Sequence, residues 1–162
     1  MTLQRNLPYW LLVAGAVLWV AVVFLAPVAK ANGWTVGELA YAFFDPVCHQ
    51  HADRSFHCLG EPLAVCHRCF GLYTGFLAGL LVLPSAGRLR RLILDRPRLI
   101  LAFAAPMLVD VALFAVNVPA SRYATGFVAA FPLSALVWAA ASELHLRALA
   151  ARARPRLQGE GT

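Results

Sequence analysis

From Tyr9 to Ala29 the chain runs without a single charged side chain. A helix rises about 1.5 Å per residue, so a segment of that length reaches across a hydrocarbon core of about 30 Å. Three further apolar stretches follow, at residues 70–84, 99–118 and 124–144. The second is short unless the backbone before Cys69 is also helical. The third is interrupted by Asp110, and the fourth contains Pro132 and ends near Glu143. Only 14% of the residues are charged and 60% are hydrophobic, whereas soluble domains are about a quarter charged. The expectation is an all-α integral membrane protein, a four-transmembrane-helix bundle over residues 9–146. A short N-terminus (1–8) precedes it and a basic tail (147–162) follows. The tail "RARPRLQGEGT" has no apolar periodicity and is expected to fray. Between the first two spans, "TVGELAYAFFDPV" has apolar residues at helical spacing, the pattern of a short amphipathic helix at the surface or packed on the bundle.

The net charge of +6 raises nucleic acid as a partner. The position of the charge argues against it, because the arginines gather at the ends of the apolar runs and there is a single lysine. Basic residues beside spans report topology. With the N-terminus inside, the inner segments carry Arg5, Arg88, Arg90, Arg91, Arg96, Arg98, Arg147, Arg152, Arg154 and Arg156; the outer ones carry only Lys30, Arg54, Arg68 and Arg122. Both termini are therefore expected in the cytoplasm, with the loop of residues 30–69 outside the cytoplasmic membrane. Ala29-Lys30-Ala31 resembles a signal-peptide cleavage site, but the apolar run exceeds a usual signal core of about 7–15 residues. A retained helix is the reading, and either case leaves the loop outside.

That loop holds "CHQHADRSFHCLGEPLAVCHRC", with all four cysteines and four of the five histidines of the chain. Cys66-His67-Arg68-Cys69 is a C-x-x-C, a spacing at which two thiolates grip one tetrahedral ion or form a redox disulfide. Cys48 and His49 lie upstream with Cys58 between. Outside the cytoplasm, four cysteines in a short loop also suit two disulfides. Spacing leaves disulfides, metal and a redox pair all open. Haem attachment through C-x-x-C-H is excluded, since Phe70 follows Cys69.

"CHQHADRSF" and "AVCHRCFGLYTG" together resemble the signature of the domain of unknown function 2085 (DUF 2085) family of small membrane proteins, carried here by Cys48, His49, Gln50, Arg54, Ser55, Phe56, Cys66, Arg68, Cys69, Gly71, Tyr73 and Gly75. Asp110 and the Arg122, Thr125, Gly126 pattern fit the same family, although Val111 stands where it often has glycine. The resemblance implies no activity. It does imply a ligand set, because the family pattern needs Cys48, Cys66 and Cys69 and not Cys58. Three cysteines cannot pair off, but with His49 they make a Cys₃His site. Zinc is the default ion for mixed thiolate and imidazole ligands.

Around that site, Arg54, Arg68, Asp110 and Arg122 are expected to line an outer-face polar pocket suited to an anionic lipid or small molecule. The plainer alternative for Asp110 is a structural pair with an arginine. Gly71, Gly75 and Gly79 put one flat face on the second span for close helix approach. Tyr73 reads as an interface residue, His51, His57 and His67 as exposed loop residues, and His145 as a solvated helix end. Trp10, Trp19, Trp34 and Trp138 read as bundle or interface anchors. The expected function is a zinc-binding membrane protein. The alternatives are a membrane thiol-disulfide oxidoreductase using Cys66–Cys69 and Cys48–Cys58, and a scaffold whose loop is pinned by zinc or disulfides.

Overall fold

The computed structural model describes residues 2–113 and 118–158, with side chains over 6–112 and 118–151. The chain is mostly helical. Helix α1 (Thr2–Ala31) absorbs the first apolar run whole. It stops at Gly33, whose φ of 71° suits a left-handed helix terminus, and the Trp34 N–H closes back on the Ala29 carbonyl at 2.9 Å. Helix α2 (Thr35–Phe44) folds straight back against α1 through Gly37, Ala40 and Phe44. A Cβ on Gly37 would strike the Lys30 backbone, so glycine sets that close approach. The amphipathic helix expected here is present and packed, and it also carries Leu39 and Phe43 exposed on a second apolar face.

After a short 3₁₀ turn (Ala52–Arg54), strands β1 (His57–Cys58) and β2 (Glu61–Pro62) pair antiparallel. Leu59 and Gly60, both at positive φ, form their two-residue turn. The tyrosine hydroxyl of Tyr41 donates to the Pro62 carbonyl. Leu63, Ala64 and Val65 then plunge into a core with Val23, Ala26 and Phe44. Burial of Tyr41 pushes its phenol above the usual range.

Helix α3 (His67–Val82) begins before Cys69, which lengthens the short second stretch. It still rises only about 24 Å. It bends by 118° into helix α4 (Gly87–Asp95), a segment read from the sequence only for its arginines. Helix α5 (Leu99–Leu113) covers most of the third stretch; 114–117, the rest of that expected span before Val118, lie outside the described residues. The fourth stretch is broken at Phe131–Pro132 into α6 (Pro119–Ala130) and α7 (Leu133–Gln158), because proline cannot donate its backbone N–H to the helix ladder. Helix α7 runs on through Gln158, into the segment expected to fray. Residues 159–162 lie outside the described residues.

Two helical stretches, Asn6–Ala31 and Pro119–Ala151, are long and apolar enough to cross a membrane, and the bent α3–α4 pair would make a third. Helix α5 is apolar but shorter.

The most extensive contact joins α3 to α6. Gly71, Gly75 and Gly79 are buried there, and a Cβ on each would collide with the backbone of Tyr123, Phe127 and Phe131 in turn. Gly126 answers from α6 against the Arg68 carbonyl. The expected flat glycine face is the tightest seam of the protein.

Candidate metal centre

The turn that ends α2 carries Cys48. Its amide donates to the Phe44 carbonyl at 2.9 Å, and its side chain is buried. The opposite wall is the start of α3, where Cys66 is the N-cap in extended conformation and Cys69 lies in the first helical turn. The Cys66 amide donates to Cys48 Sγ at 3.2 Å, which ties the two walls together. All four cysteines are free of disulfides. The sulfurs of Cys48, Cys66 and Cys69 lie within 4.8 Å of one another.

This donor set fits a thiophilic ion. Zinc–sulfur bonds of about 2.3 Å place the sulfurs of a tetrahedral site about 3.8 Å apart, a spacing the cluster can close with small side-chain rotations. Hydrogen bonding from Cys48, then Cys69, holds the Cys66 thiol far below its ordinary range.

The other expected ligands fall in different places. His49 is exposed, its ring stacked 6.1 Å from that of His51, and it is not part of the three-sulfur group. It does line the same cavity as the thiols. Cys58, on β1, packs against the neighbouring apolar cluster and is also outside the group. His67 corrects the expectation of an exposed loop histidine. It is 3% exposed, packed edge-on against Phe56 at 4.4 Å, because α3 begins at it.

A cavity of about 350 Å³ opens beside the sulfurs, lined by His49, Gln50, Arg54, Arg68 and Arg122 among others. The expected basic residues thus meet at one place, but Asp110 does not line it. Asp110 sits behind, 3% exposed, accepting from Arg68 Nη2 at 2.6 Å and from the Ser121 hydroxyl at 2.6 Å. It aims one arginine into the cavity from below. Arg68 Nε is buried with no partner, and Arg122 takes no ion pair among the described residues. Burying a donor of a charged group without an acceptor costs about 1–3 kcal/mol or more. The cavity itself is edged by the side chains of Arg54, Arg68 and Arg122.

Ser121, and the role of Gln50, escaped the sequence reading. Ser121 is one of several hydroxyls near span ends, and only the fold shows that it completes the Asp110 shell. Gln50 stands at φ 48° and donates from Nε2 to the Tyr41 carbonyl at 2.7 Å. Its place in "CHQ" was visible, its role as the brace of the cavity wall was not. Tyr73 is partly buried, its ring against those of Trp19 and Phe44.

Comparison with known proteins agrees with these landmarks. No solved structure matches the chain. An uncharacterised protein of Methanocaldococcus jannaschii, MJ1492, is 34% identical over 119 residues, covering 67% of this chain and 76% of the relative. The family model described as "Predicted membrane protein (DUF2085)" matches residues 48–136. That match starts at Cys48 and takes in Cys66, Cys69 and the α3–α6 seam, though not α2, and the chain belongs to the DUF2085 family of predicted membrane proteins.

Proposed function

We propose that this protein is a metal-binding membrane protein in which Cys48, Cys66 and Cys69 hold zinc, with a fourth position toward the arginine-lined cavity. The observation that carries the reading is the approach of three free thiols to within 4.8 Å. His49 reaches the fourth position by swinging from its stack with His51. An anionic group, a phosphate or carboxylate of a lipid or small molecule, takes that position when bound, with Arg54, Arg68 and Arg122 around it. In this reading α1, α3, α5 and the α6–α7 pair are the four transmembrane segments of a cytoplasmic-membrane protein. Both termini lie in the cytoplasm and the thiol cluster is outside.

The test is zinc content and free-thiol count of purified protein and its cysteine variants. The wild type should carry about one zinc per chain. Cys48→Ser, Cys66→Ser and Cys69→Ser should each lose it, while Cys58→Ser keeps it and His49→Ala lowers affinity without abolishing binding. Metal-free wild type with oxidised cysteines would sink the zinc reading. It would favour thiol-disulfide exchange by Cys66–Cys69 instead, for which the position of Cys66 at the N-terminus of α3 is the supporting observation. Topology is checked separately: an impermeant thiol reagent should modify a cysteine placed at Glu61 from outside.

A further inference from the structure

At the end of α3 remote from the cysteines, we infer that α4 and the turn after it form a binding surface for the headgroups of anionic phospholipids. The inference is independent of the metal reading. Helix α4 leaves α3 at a bend of 118°. A helix that turns that sharply off a membrane-crossing segment runs close to the membrane plane. Its surface is divided in three. Ile93 is fully buried against Leu83 and Ala135. Leu89 and Leu92, beside it, are exposed. Arg88, Arg91 and Asp95 occupy the remaining face, all exposed.

Arg90 is committed to the protein, its guanidinium lying 4.0 Å from the Trp138 ring centroid. Arg88, Arg91, Arg96 and Arg98 take no ion pair with any described residue. Asp95 is the only acidic residue between Pro84 and Val109. Arg96 and Arg98 further line a cavity of about 420 Å³ with Asp95, Pro97 and Leu99, roomy enough for a phosphodiester.

Water suits neither half of this surface. Leu89 and Leu92 would waste apolar area, and four unpaired guanidiniums would repel one another. The boundary of a leaflet suits both, since acyl chains cover the leucines while phosphates answer the arginines. A protein partner would have to supply an acidic, apolar strip at the same depth, whereas the membrane that the protein occupies already supplies it.

The experiment uses the full-length protein extracted from vesicles of phosphatidylglycerol and phosphatidylcholine in equal parts. Native mass spectrometry reads the ratio of retained lipids. The wild type should retain phosphatidylglycerol in excess, and the excess should fall as salt is raised, since exposed charges are screened. The pair R88Q/R91Q should lower the ratio roughly twenty-five-fold, at about fivefold per arginine. R88K/R91K should preserve most of it. Arg147→Gln should leave it unchanged, because Glu143 already pairs with Arg147. A ratio unchanged in R88Q/R91Q, or insensitive to salt in the wild type, would overturn the inference. So would a preference that survives R88Q/R91Q and vanishes in Arg54→Gln, which would move the anion to the cysteine end. If R88Q/R91Q does not fold, the wild-type salt series and R88K/R91K decide.

Discussion

Glycine serves opposite ends on two faces of the same bundle. Gly71, Gly75 and Gly79 of α3 have no room for a Cβ, because the backbone of α6 fills the space. Gly15 of α1 has nothing within 4 Å of where its Cβ would be. It lies instead in an apolar groove of about 320 Å³ that also touches Leu11, Trp19, Tyr73 and Phe76. Between membrane helices there is no water to expel, so association depends on close packing and polar bonds rather than on apolar area. The α3–α6 seam has both: backbone contact along its length, and the Arg68–Asp110–Ser121 bonds at its cysteine end. The α1–α3 face has aromatic edges such as Trp19 against Tyr73, and a groove. The seam therefore fixes the register of the site. Cys69 and Arg68 ride on α3, Arg122 on α6, and a shift of one helix along the other would separate them.

The contrast breaks first at Gly75. Gly75→Ala drives a methyl into the Phe127 backbone, which cannot rotate away. Overpacking costs about 1–3 kcal/mol where side chains can adjust, and here backbone must move, so about 3 kcal/mol or more is expected. The thermal midpoint in detergent should drop sharply and zinc content with it, since Cys66 and Cys69 lose their frame. Normal stability and metal content in this variant would mean that the seam does not set the site.

Asp110→Asn comes next. It keeps shape and the Ser121 bond but leaves the Arg68 charge without its counterion. Removing one partner of a buried pair costs about 3–5 kcal/mol. Arg68 is partly open to the cavity, so a loss of about 2 kcal/mol is expected. Zinc should stay bound, because no sulfur depends on Asp110, while a bound anion should be held differently as Arg68 is re-aimed. Metal loss in Asp110→Asn would place the carboxylate closer to the ion than the seam allows. Ser121→Ala should cost about 1 kcal/mol, the worth of one hydrogen bond, read in the same melting experiment.

Much of this seam was legible. The four-residue glycine spacing announced a close face, and "CHRC" with Arg68 beside Cys69 announced where the ligands and one charge would meet. The partner of Asp110 was not legible, because Arg54, Arg68 and Arg122 were equivalent candidates until α3 and α6 fixed their register. Helix α4 was also missed. Its arginines were counted as topology signals, and that count hid the alternation that leaves Ile93 buried and Arg88 exposed. His67 shows the limit of composition. Its neighbours are ligands and charges, yet its burial follows only from where α3 begins. The groove at Gly15 left no trace in sequence, since an uncharged run looks alike whether its small residues face a helix or nothing.

The smallest expected effect is at that groove, and it tests the comparison from its other side. Gly15→Ala adds a methyl to open space and replaces the poorest helix former short of proline with the best. The propensity difference is worth about 1 kcal/mol at an exposed helix position in water. In lipid the unfolded chain keeps more of its helix, so the gain should be a fraction of that. Stability should hold or rise slightly, and zinc content should not change, because neither Cys48 nor α3 moves. Gly15→Leu should be tolerated as well, filling part of the groove beside Trp19. The decisive quantity is the difference between Gly15→Ala and Gly75→Ala measured in the same detergent. A large gap of opposite signs means that glycine acts by position, tight at the seam and idle at the groove. If both variants fall by the same amount, α1 packs on α3 as closely as α6 does, and the site rests on three helices in fixed register rather than two.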